Sequence, residues 1–239
     1  MAHARIHVVS ETGSTNADLR AQADSWPDGH WLRAERQTAG RGRLGRAWQS
    51  PTGNLYASTL IALQPGDPPV TGISLMMGIA VHDALSSLAE NAPILLKWPN
   101  DVLADGAKLA GMLLEREGQG IIAGVGVNIA TAPPLADRPT VALNSLPGGA
   151  GLTAEAVLDA LVLAVDRWLP RWRAEGMSAL VPAWLARAHP IGTPLVVTGA
   201  GSAPVHGRFA GLRDDGALML ACENGTQAVV HSGDVGILP

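Results

Sequence analysis

The sequence predicts an α+β fold, with a larger domain built from a mixed β-sheet covered by helices and a small β domain at the C-terminal end. Up to residue 188, strand-like segments alternate with segments whose apolar residues recur at helical spacing. From Pro190 onward, the chain has short β-like runs separated by glycines and an Asp-Asp-Gly turn, which is typical of a small barrel with its own core. We therefore predict domains over 1–188 and 189–239.

Composition and periodicity predict the individual elements. Thr15 is expected to cap a first helix, with Asp18 in its first turn. The larger domain is predicted to contain strands over 5–9, 30–37, 54–62 and 94–97, a hairpin over 109–115 and 121–128, and helices after residue 14 and over 70–88, 153–172 and 177–188. The small domain is predicted to contain strands over 195–198, 205–211, 217–221, 227–230 and 235–238.

Composition limits the class of protein. Hydrophobic residues make up 47% of the 239 residues and charged residues 16%, so a sizeable core can be buried. The formal net charge of −4 argues against a general binder of nucleic acids or membrane surfaces. A lone cysteine, Cys222, excludes a disulfide framework and a cysteine-based metal site. Residues 1–10 lack a secretion signal and no apolar run is long enough to span a bilayer, so we expect a cytoplasmic protein.

The stretch 35–48 is the most informative part of the chain. Its segment rich in glycine and arginine, residues 38–48, is called the Gly/Arg loop below. Glycine lets the backbone approach a ligand closely, and arginine offers a planar fork of donors that suits phosphate and carboxylate. The loop is therefore predicted to fold over an anionic small molecule, and a mobile, solvated loop is the alternative. Its Gly-x-Gly-x-x-Gly spelling matches a dinucleotide-binding fingerprint, but the helix that this fingerprint requires does not follow.

Three further motifs carry candidate chemistry. The run from Lys97 to Asp101 places a lysine, an amide and a carboxylate at a strand end fixed by proline, which suits a phosphate and metal site, although Pro-Asn-Asp is also a plain turn sequence. Lys108 precedes an apolar strand, where a lysine is usually surface decoration. The Ser-Thr-Asn run at 14–16 begins a helix, and its hydroxyls and amide can also hydrogen-bond a polar ring.

Together these motifs resemble the signature of the biotin protein ligases. The resemblance is specific from Ser14 to Asn128 and looser, by pattern only, in the C-terminal β domain. It implies a catalytic domain like that of class II synthetases followed by an SH3-like barrel. The implied reaction adenylates biotin with ATP and then transfers biotin to a lysine of a carboxyl carrier domain. Because the acyl adenylate hydrolyses easily, the Gly/Arg loop would have to exclude water between the two steps.

The resemblance implies roles for individual residues. The catalytic residues would be Lys108, Arg43 and Asp101, with Lys108 holding the biotin carboxylate beside the α-phosphate and stabilising developing charge. Asp101 would hold Mg²⁺ or orient the incoming lysine amine. The residues expected to bind biotin are Ser14, Thr15, Asn16, Gln37, Gly40, Arg41, Gly42, Lys108 and Gly111. The residues expected to bind ATP are Arg43, Arg46, Trp48, Lys97, Asn100 and Asn128.

The resemblance also implies binding partners, and the sequence departs from the family pattern at one place. The expected acceptor is a biotin carboxyl carrier domain, and a homodimer is left open. Longer family members carry an N-terminal DNA-binding domain, whereas this sequence begins at the catalytic domain, so neither DNA nor a membrane is an expected partner. The family often covers adenine with an aromatic residue after the strand that ends at Asn128. Residues 130–151 contain no aromatic residue, which leaves the cover for adenine open.

Other classes of function are alternatives to a biotin protein ligase. A lipoate-type acyl-adenylate ligase would share the fold and chemistry but is expected to present a different loop. A non-catalytic biotin-binding module would fit if the ATP half had decayed, but Lys97, Asp101, Lys108 and Asn128 are all present. The chain has no Gly-x-Ser-x-Gly elbow of a serine hydrolase. Its seven histidines show no metal-ligand spacing, and Cys222 in the small β domain makes a cysteine acyltransferase a poor fit.

Overall fold

The computed structural model describes residues 5–199 and 203–238. Its main sheet has seven strands in the order β1-β2-β3-β7-β6-β5-β4. These strands are β1 (Ile6–Thr12), β2 (Trp31–Gln37), β3 (Leu55–Ala62), β4 (Ile94–Lys97), β5 (Asp101–Ala104), β6 (Ala107–Glu117) and β7 (Gly120–Val127). β1 and β2 are parallel, and the remaining neighbours are antiparallel. The predicted mixed sheet is confirmed.

Helices cover both faces of this sheet. They are α1 (Thr15–Ala21), α2 (Thr71–Leu88), α3 (Ala154–Glu175) and α4 (Met177–Leu185). α1 connects the parallel strands β1 and β2, and its Leu19 packs with Leu32, Leu60 and Ile122. On the opposite face, α2, α3 and α4 enclose the main hydrophobic core, which also takes in alternate residues of β3. The period-2 alternation of β3 therefore supplies apolar residues to both faces.

A second, antiparallel sheet of five strands lies at the C-terminal end. Its order is β11-β10-β9-β8-β12, with β8 (Pro194–Thr198), β9 (Val205–Leu212), β10 (Leu218–Ala221), β11 (Gln227–Val230) and β12 (Asp234–Ile237). The expectation that this region has its own core is wrong. Leu195, Phe209 and Leu218 belong to the same buried cluster as α4, and Phe209 meets Trp184 of α4 edge-on at 6.4 Å.

Local differences from the predicted elements have clear causes. The strand β5 was not expected, yet it forms a hairpin with β6 through a two-residue turn at Asp105 and Gly106, whose φ angles are 50° and 73°. Asp-Gly with two positive φ angles is a favoured hairpin turn. Thr15 does not cap α1: the N-cap residue is Ser14, and it makes no side-chain capping hydrogen bond. None of the helices in the described ranges is long and apolar enough to cross a bilayer.

Candidate functional site

One pocket gathers most of the residues that the sequence singled out. It opens between the start of α1, the Gly/Arg loop, the β4–β5 turn, and the strands β6 and β7. Of the expected site residues, those that line it are Ser14, Thr15, Asn16, Gln37, Arg41, Gly42, Arg43, Arg46, Trp48, Asn100, Asp101, Lys108 and Gly111. Gly40, Lys97 and Asn128 do not line it. Residues 90 or more positions apart in the chain thus share one concave surface.

A neutral, hydrogen-bonding wall forms at the start of α1. The Gln37 side-chain oxygen accepts from the backbone N–H of Thr15 at 2.9 Å and from its hydroxyl at 3.1 Å. The hydroxyl of Ser58 lies 2.7 Å from that of Thr15 and 2.6 Å from the side-chain oxygen of Asn16. Ser14, Thr15 and Asn16 are all buried. This network fixes the rotamers of the wall, so its remaining polar atoms are held ready for a ligand.

Asn16 sits where a glycine leaves it room. Its amide nitrogen donates to Glu115 at 2.8 Å and to the Leu113 carbonyl at 3.3 Å. A Cβ at Gly124 would collide with the Asn16 amide. Burial opposes the ionisation of Glu115, but the hydrogen bond from Asn16 and the neighbouring Arg20 lower the pKa of Glu115 overall. The start of α1 is therefore anchored to β6 through an ionised carboxylate.

The indole of Trp48 lies against the strands beside this wall. A Cβ at Gly126 would come within 2.6 Å of the Trp48 ring, and one at Gly111 would come within 3.1 Å. Lys108 Nζ lies 5.3 Å from the centre of that ring. The same hypothetical Cβ at Gly111 would also meet the end of the Lys108 side chain at 3.1 Å. These glycines therefore make space for the Trp48 ring and the Lys108 ammonium, both of which line the pocket.

Asp101 is the centre of a buried charge cluster. Its carboxylate lies 2.6 Å from Lys108 Nζ, 3.1 Å from Lys97 Nζ and 3.3 Å from Arg138 Nη1. Burial alone would raise the pKa of the Asp101 carboxyl, but Lys108 and Lys97 hold it below its ordinary value. Burial lowers the pKa of Lys97, and the charge of Asp101 opposes that effect. The cluster therefore carries more positive than negative charge at neutral pH, which favours an anionic ligand.

This arrangement does not fit a magnesium ion on Asp101. Both of its oxygens already accept from cationic side chains, Oδ1 from Lys108 and Oδ2 from Lys97 and Arg138. Across residues 5–199 and 203–238, no group of three or more His, Cys, Asp or Glu side chains is placed to hold a metal ion. Mg²⁺ prefers a shell of oxygen ligands without competing cations. The expected metal role of Asp101 therefore has no geometric support.

The Gly/Arg loop is folded over the pocket. The backbone N–H of Gly42 donates to the Arg46 carbonyl at 2.7 Å, and that of Trp48 donates to the Gly40 carbonyl at 2.9 Å. Arg43 Nη1 donates to the Asn100 side-chain oxygen at 3.2 Å. Burial lowers the pKa of the Arg43 guanidinium, although a guanidinium remains protonated in any protein. Arg43 therefore presents a partly desolvated positive charge to the pocket.

Residues that sequence reasoning missed complete the site. Arg138, from the connection after β7, donates to Asp101 and also to Asp234 of β12 at 3.0 Å. Arg46 Nη2 reaches the same Asp234 oxygen at 3.0 Å. Asp137 and Leu135 also line the pocket. Only the composition of the 132–150 connection could have pointed to Arg138, and no sequence signal marked Asp234.

Three expected site residues lie just outside the pocket. A Cβ at Gly40 would meet the Trp48 carbonyl at 2.6 Å, so this glycine lets the loop fold on itself. Lys97 lies behind Asp101 and donates to the Val235 carbonyl at 2.7 Å. Asn128 is buried, and its amide lies 3.3 Å from the Lys108 carbonyl. In this structure all three shape the walls rather than line the cavity.

Comparison with known proteins identifies the family. The model of the Biotin/lipoate A/B protein ligase family matches residues 7–131, more than half of the chain. The chain belongs to this family. As a member of the family it is a ligase. A second model, that of the Biotin protein ligase C terminal domain, matches residues 191–237. The folded Gly/Arg loop and the Asp101 cluster are thus features of a ligase of this family.

Relatives within the family cover almost the whole chain. A biotin–[acetyl-CoA-carboxylase] ligase of Paracoccus denitrificans is 36% identical over 233 residues, covering 93% of this chain and 96% of the relative. A ligase of the same name from Mycobacterium tuberculosis is 37% identical, covering 97% of this chain and 88% of the relative. The solved biotin protein ligase of Aquifex aeolicus in complex with biotin and ATP is similar with a TM-score of 0.84 and 26% identity, covering 98% and 99% of the two chains.

Proposed function

We propose that this chain activates biotin with MgATP and transfers the biotinyl group to a lysine of a biotin carboxyl carrier domain. The observation that carries the proposal is one pocket lined both by a neutral hydrogen-bonding wall and by a cationic cluster. The neutral wall suits the ureido ring of biotin, which offers two N–H donors and a carbonyl acceptor. The cations suit the biotin carboxylate and the phosphates of ATP. The biotin ligases among the relatives support biotin over lipoate.

In the first step, a carboxylate oxygen of biotin attacks the α-phosphorus of ATP, and pyrophosphate leaves. Lys108 donates to the biotin carboxylate and the α-phosphate oxygens, where negative charge develops. Arg43 and Arg46 bind the phosphates, and Asn100 orients Arg43 through their 3.2 Å hydrogen bond. Mg²⁺ enters with ATP as part of the substrate. Asp101 keeps the Lys108 ammonium in place.

In the second step, the acceptor lysine attacks the acyl carbon of biotinyl-5′-AMP, and AMP leaves. The neutral wall of Ser14, Thr15, Asn16 and Gln37 holds the biotin ring, and Arg41, Gly42 and Gly111 complete the cavity around it. Trp48 forms a flat apolar wall beside the reacting atoms. The Gly/Arg loop keeps water away from the adenylate, because closure over a reactive intermediate suppresses hydrolysis.

The remaining parts of the molecule support this reaction. We propose that the main domain is of the class II synthetase type and that residues 189–239 form an SH3-like barrel. Lys97 and Asn128 affect nucleotide binding indirectly. Lys97 does so through its ion pair with Asp101, and Asn128 through its hydrogen bond to the Lys108 carbonyl. The acceptor is a carboxyl carrier domain in the cytoplasm, and this function needs neither DNA nor a membrane.

Transfer to a carrier domain tests the proposal. With biotin and MgATP, the chain should add one biotinyl mass to a carrier-domain lysine and none to a lipoyl domain. Thr15→Val should raise the biotin concentration needed for half-maximal transfer, because it removes a hydroxyl that holds Gln37 in the wall. Thr52→Val, at an exposed position away from the pocket, is the matched control. Modification of the lipoyl domain in place of the carrier domain would contradict the proposal.

A further inference from the structure

Lysine is confined to the candidate site in this chain. The 239 residues contain two lysines, Lys97 and Lys108, and fifteen arginines. Their side chains are 6% and 13% exposed, respectively. Both lysines lie in the described part of the molecule, so no lysine amine of the chain is freely exposed. Except for histidine, every cationic side chain outside the site is an arginine.

This distribution matters because of the proposed chemistry, on which the present inference rests. Biotinyl-5′-AMP acylates a neutral primary amine. The nitrogen lone pair forms the N–C amide bond, the bond from the acyl carbon to the phosphate oxygen breaks, AMP takes the electron pair, and water takes the amine proton. A guanidinium stays protonated at any physiological pH, so an arginine surface offers no amine to this reaction, whereas a lysine surface would.

Lys108 lines the pocket and Lys97 lies just behind it, and both form ion pairs with one carboxylate. Lys108 Nζ lies 2.6 Å from Asp101 Oδ1, and Lys97 Nζ lies 3.1 Å from Asp101 Oδ2. Lys97 Nζ also donates to the Val235 carbonyl at 2.7 Å. An ammonium group that donates to a carboxylate has no lone pair with which to attack. Burial lowers the pKa of Lys97, and the charge of Asp101 opposes that effect.

We propose that this chain is protected against acylation by its own activated product: its surface offers no lysine amine, and Asp101 is a positioning residue that keeps the amines of Lys97 and Lys108 engaged in ion pairs. Asp101 thereby determines which amine is acylated. The Lys108 amine in the pocket and the Lys97 amine behind it are both kept inert, and the lysine that reacts arrives on another molecule.

A new surface lysine tests the first half of the proposal. Arg213 is half exposed, and its ion pair with Asp215 is long, at 4.0 Å, so Arg213→Lys should leave the fold and the site unchanged. Synthetic biotinyl-5′-AMP is added to each protein without ATP, and labelled residues are mapped by peptide mass spectrometry. We expect label at position 213 in the variant and none on lysine in the parent chain. Label on the chain's α-amine is scored separately, because it is common to all variants.

Asp101→Asn tests the second half under the same conditions. We expect label on Lys108, Lys97 or both, and loss of that label when Lys108→Arg and Lys97→Arg are added. Circular dichroism shows whether Asp101→Asn is folded. If it is not, a pH series on the folded proteins replaces it. Between about pH 7 and about pH 9, the neutral fraction of an ordinary lysine increases roughly 100-fold. Label at position 213 should therefore rise steeply, while Lys97 and Lys108 of the parent chain stay unlabelled because both amines remain paired with Asp101.

Several outcomes would overturn the proposal. Label on Lys97 or Lys108 of the parent chain, at a level similar to that at position 213, would show that the site lysines are not protected. A folded Asp101→Asn variant without lysine label would remove the role of Asp101. Because the adenylate is supplied ready-made, these results do not depend on adenylation. A failure of the proposed function appears separately, as absence of biotin-dependent pyrophosphate exchange into ATP.

Discussion

Arg46 of the Gly/Arg loop forms an ion pair with Asp234 of β12, with Nη2 3.0 Å from Oδ2. The two residues are 188 positions apart, so the C-terminal sheet contributes directly to the wall of the pocket. Arg138 donates to the same oxygen at 3.0 Å. Burial opposes the ionisation of Asp234, but Arg138 and Arg46 hold the pKa of its carboxyl below its ordinary value. One carboxylate thus joins the loop, the connection after β7 and the last strand.

Asp234→Asn should loosen the Gly/Arg loop in the absence of ligand. The neutral amide cannot hold two guanidinium groups as a carboxylate does, so the loop loses its contact with the C-terminal sheet. Hydrogen exchange of the amides in 40–48 should become faster than in the parent chain. Glu35→Gln is the control, because Glu35 is 57% exposed and lies 3.9 Å from Arg33, where an ion pair contributes little. Equal exchange rates in Asp234→Asn and the parent chain would show that the ion pair does not restrain the loop.

Gly126→Ala should displace Trp48 and impair the enzyme. The added Cβ would come within 2.6 Å of the Trp48 ring, and inserting a methyl group into a packed site costs about 1–3 kcal/mol. We expect a lower melting temperature, a shift in the emission maximum of the tryptophan fluorescence, and loss of biotin activation. Gly13→Ala is the matched control, because a Cβ there meets nothing within 4 Å and its φ is not positive. Full activity in Gly126→Ala would mean that the position of Trp48 is unimportant.

His189 should make the stability of the chain depend on pH. It is 5% exposed and packs on Phe209 with ring centres 4.5 Å apart, and burial lowers its pKa below the ordinary value, with the charge of Lys97 acting in the same direction. The unfolded chain therefore binds the proton more readily. The stabilisation is fully present above about pH 6.5, the value of an unperturbed histidine, and is lost as the pH falls below it.

Thermal melts at neutral and mildly acidic pH measure this effect. The melting temperature of the parent chain should fall on acidification, and His189→Gln should flatten that fall. His206→Gln is the control, because His206 is exposed on β9. The same acid dependence in His189→Gln and the parent chain would assign the effect to other groups.

Periodicity predicted the helices and most strands because burial imposes it on the sequence. Ile73, Met76, Ala80 and Ala84, which recur at helical spacing, are buried in α2. β5 is not among the predicted strands although Asp105 and Gly106 spell a favoured hairpin turn, because Pro-Asn-Asp after β4 favours a turn and the four residues of β5 are too few to show a period. The separate core expected for residues 189–239 was wrong because composition does not show that Phe209 packs on Trp184.

The site residues that belong to short sequence motifs could be predicted from the sequence. Ser14, Gln37, Arg43 and Lys108 all line the pocket. Arg138 and Asp234 were not predicted, because their role in the site depends on their contact with each other and they lie far apart in the sequence. The sequence does single out Asp101, Lys97 and Lys108, but spacing alone does not show that they form one cluster with Arg138.

Exchange of labelled pyrophosphate into ATP tests the central claim most directly, because it reports adenylation without any acceptor protein. The account predicts exchange that requires biotin and Mg²⁺ and is not supported by lipoate or octanoate. Lys108→Ala should lower it by more than about 100-fold, the scale of removing one preorganised donor to developing charge, while Lys97 and Arg138 still neutralise Asp101 and the fold survives. Exchange with lipoate or octanoate but not with biotin, or near-normal exchange in Lys108→Ala, would contradict the account.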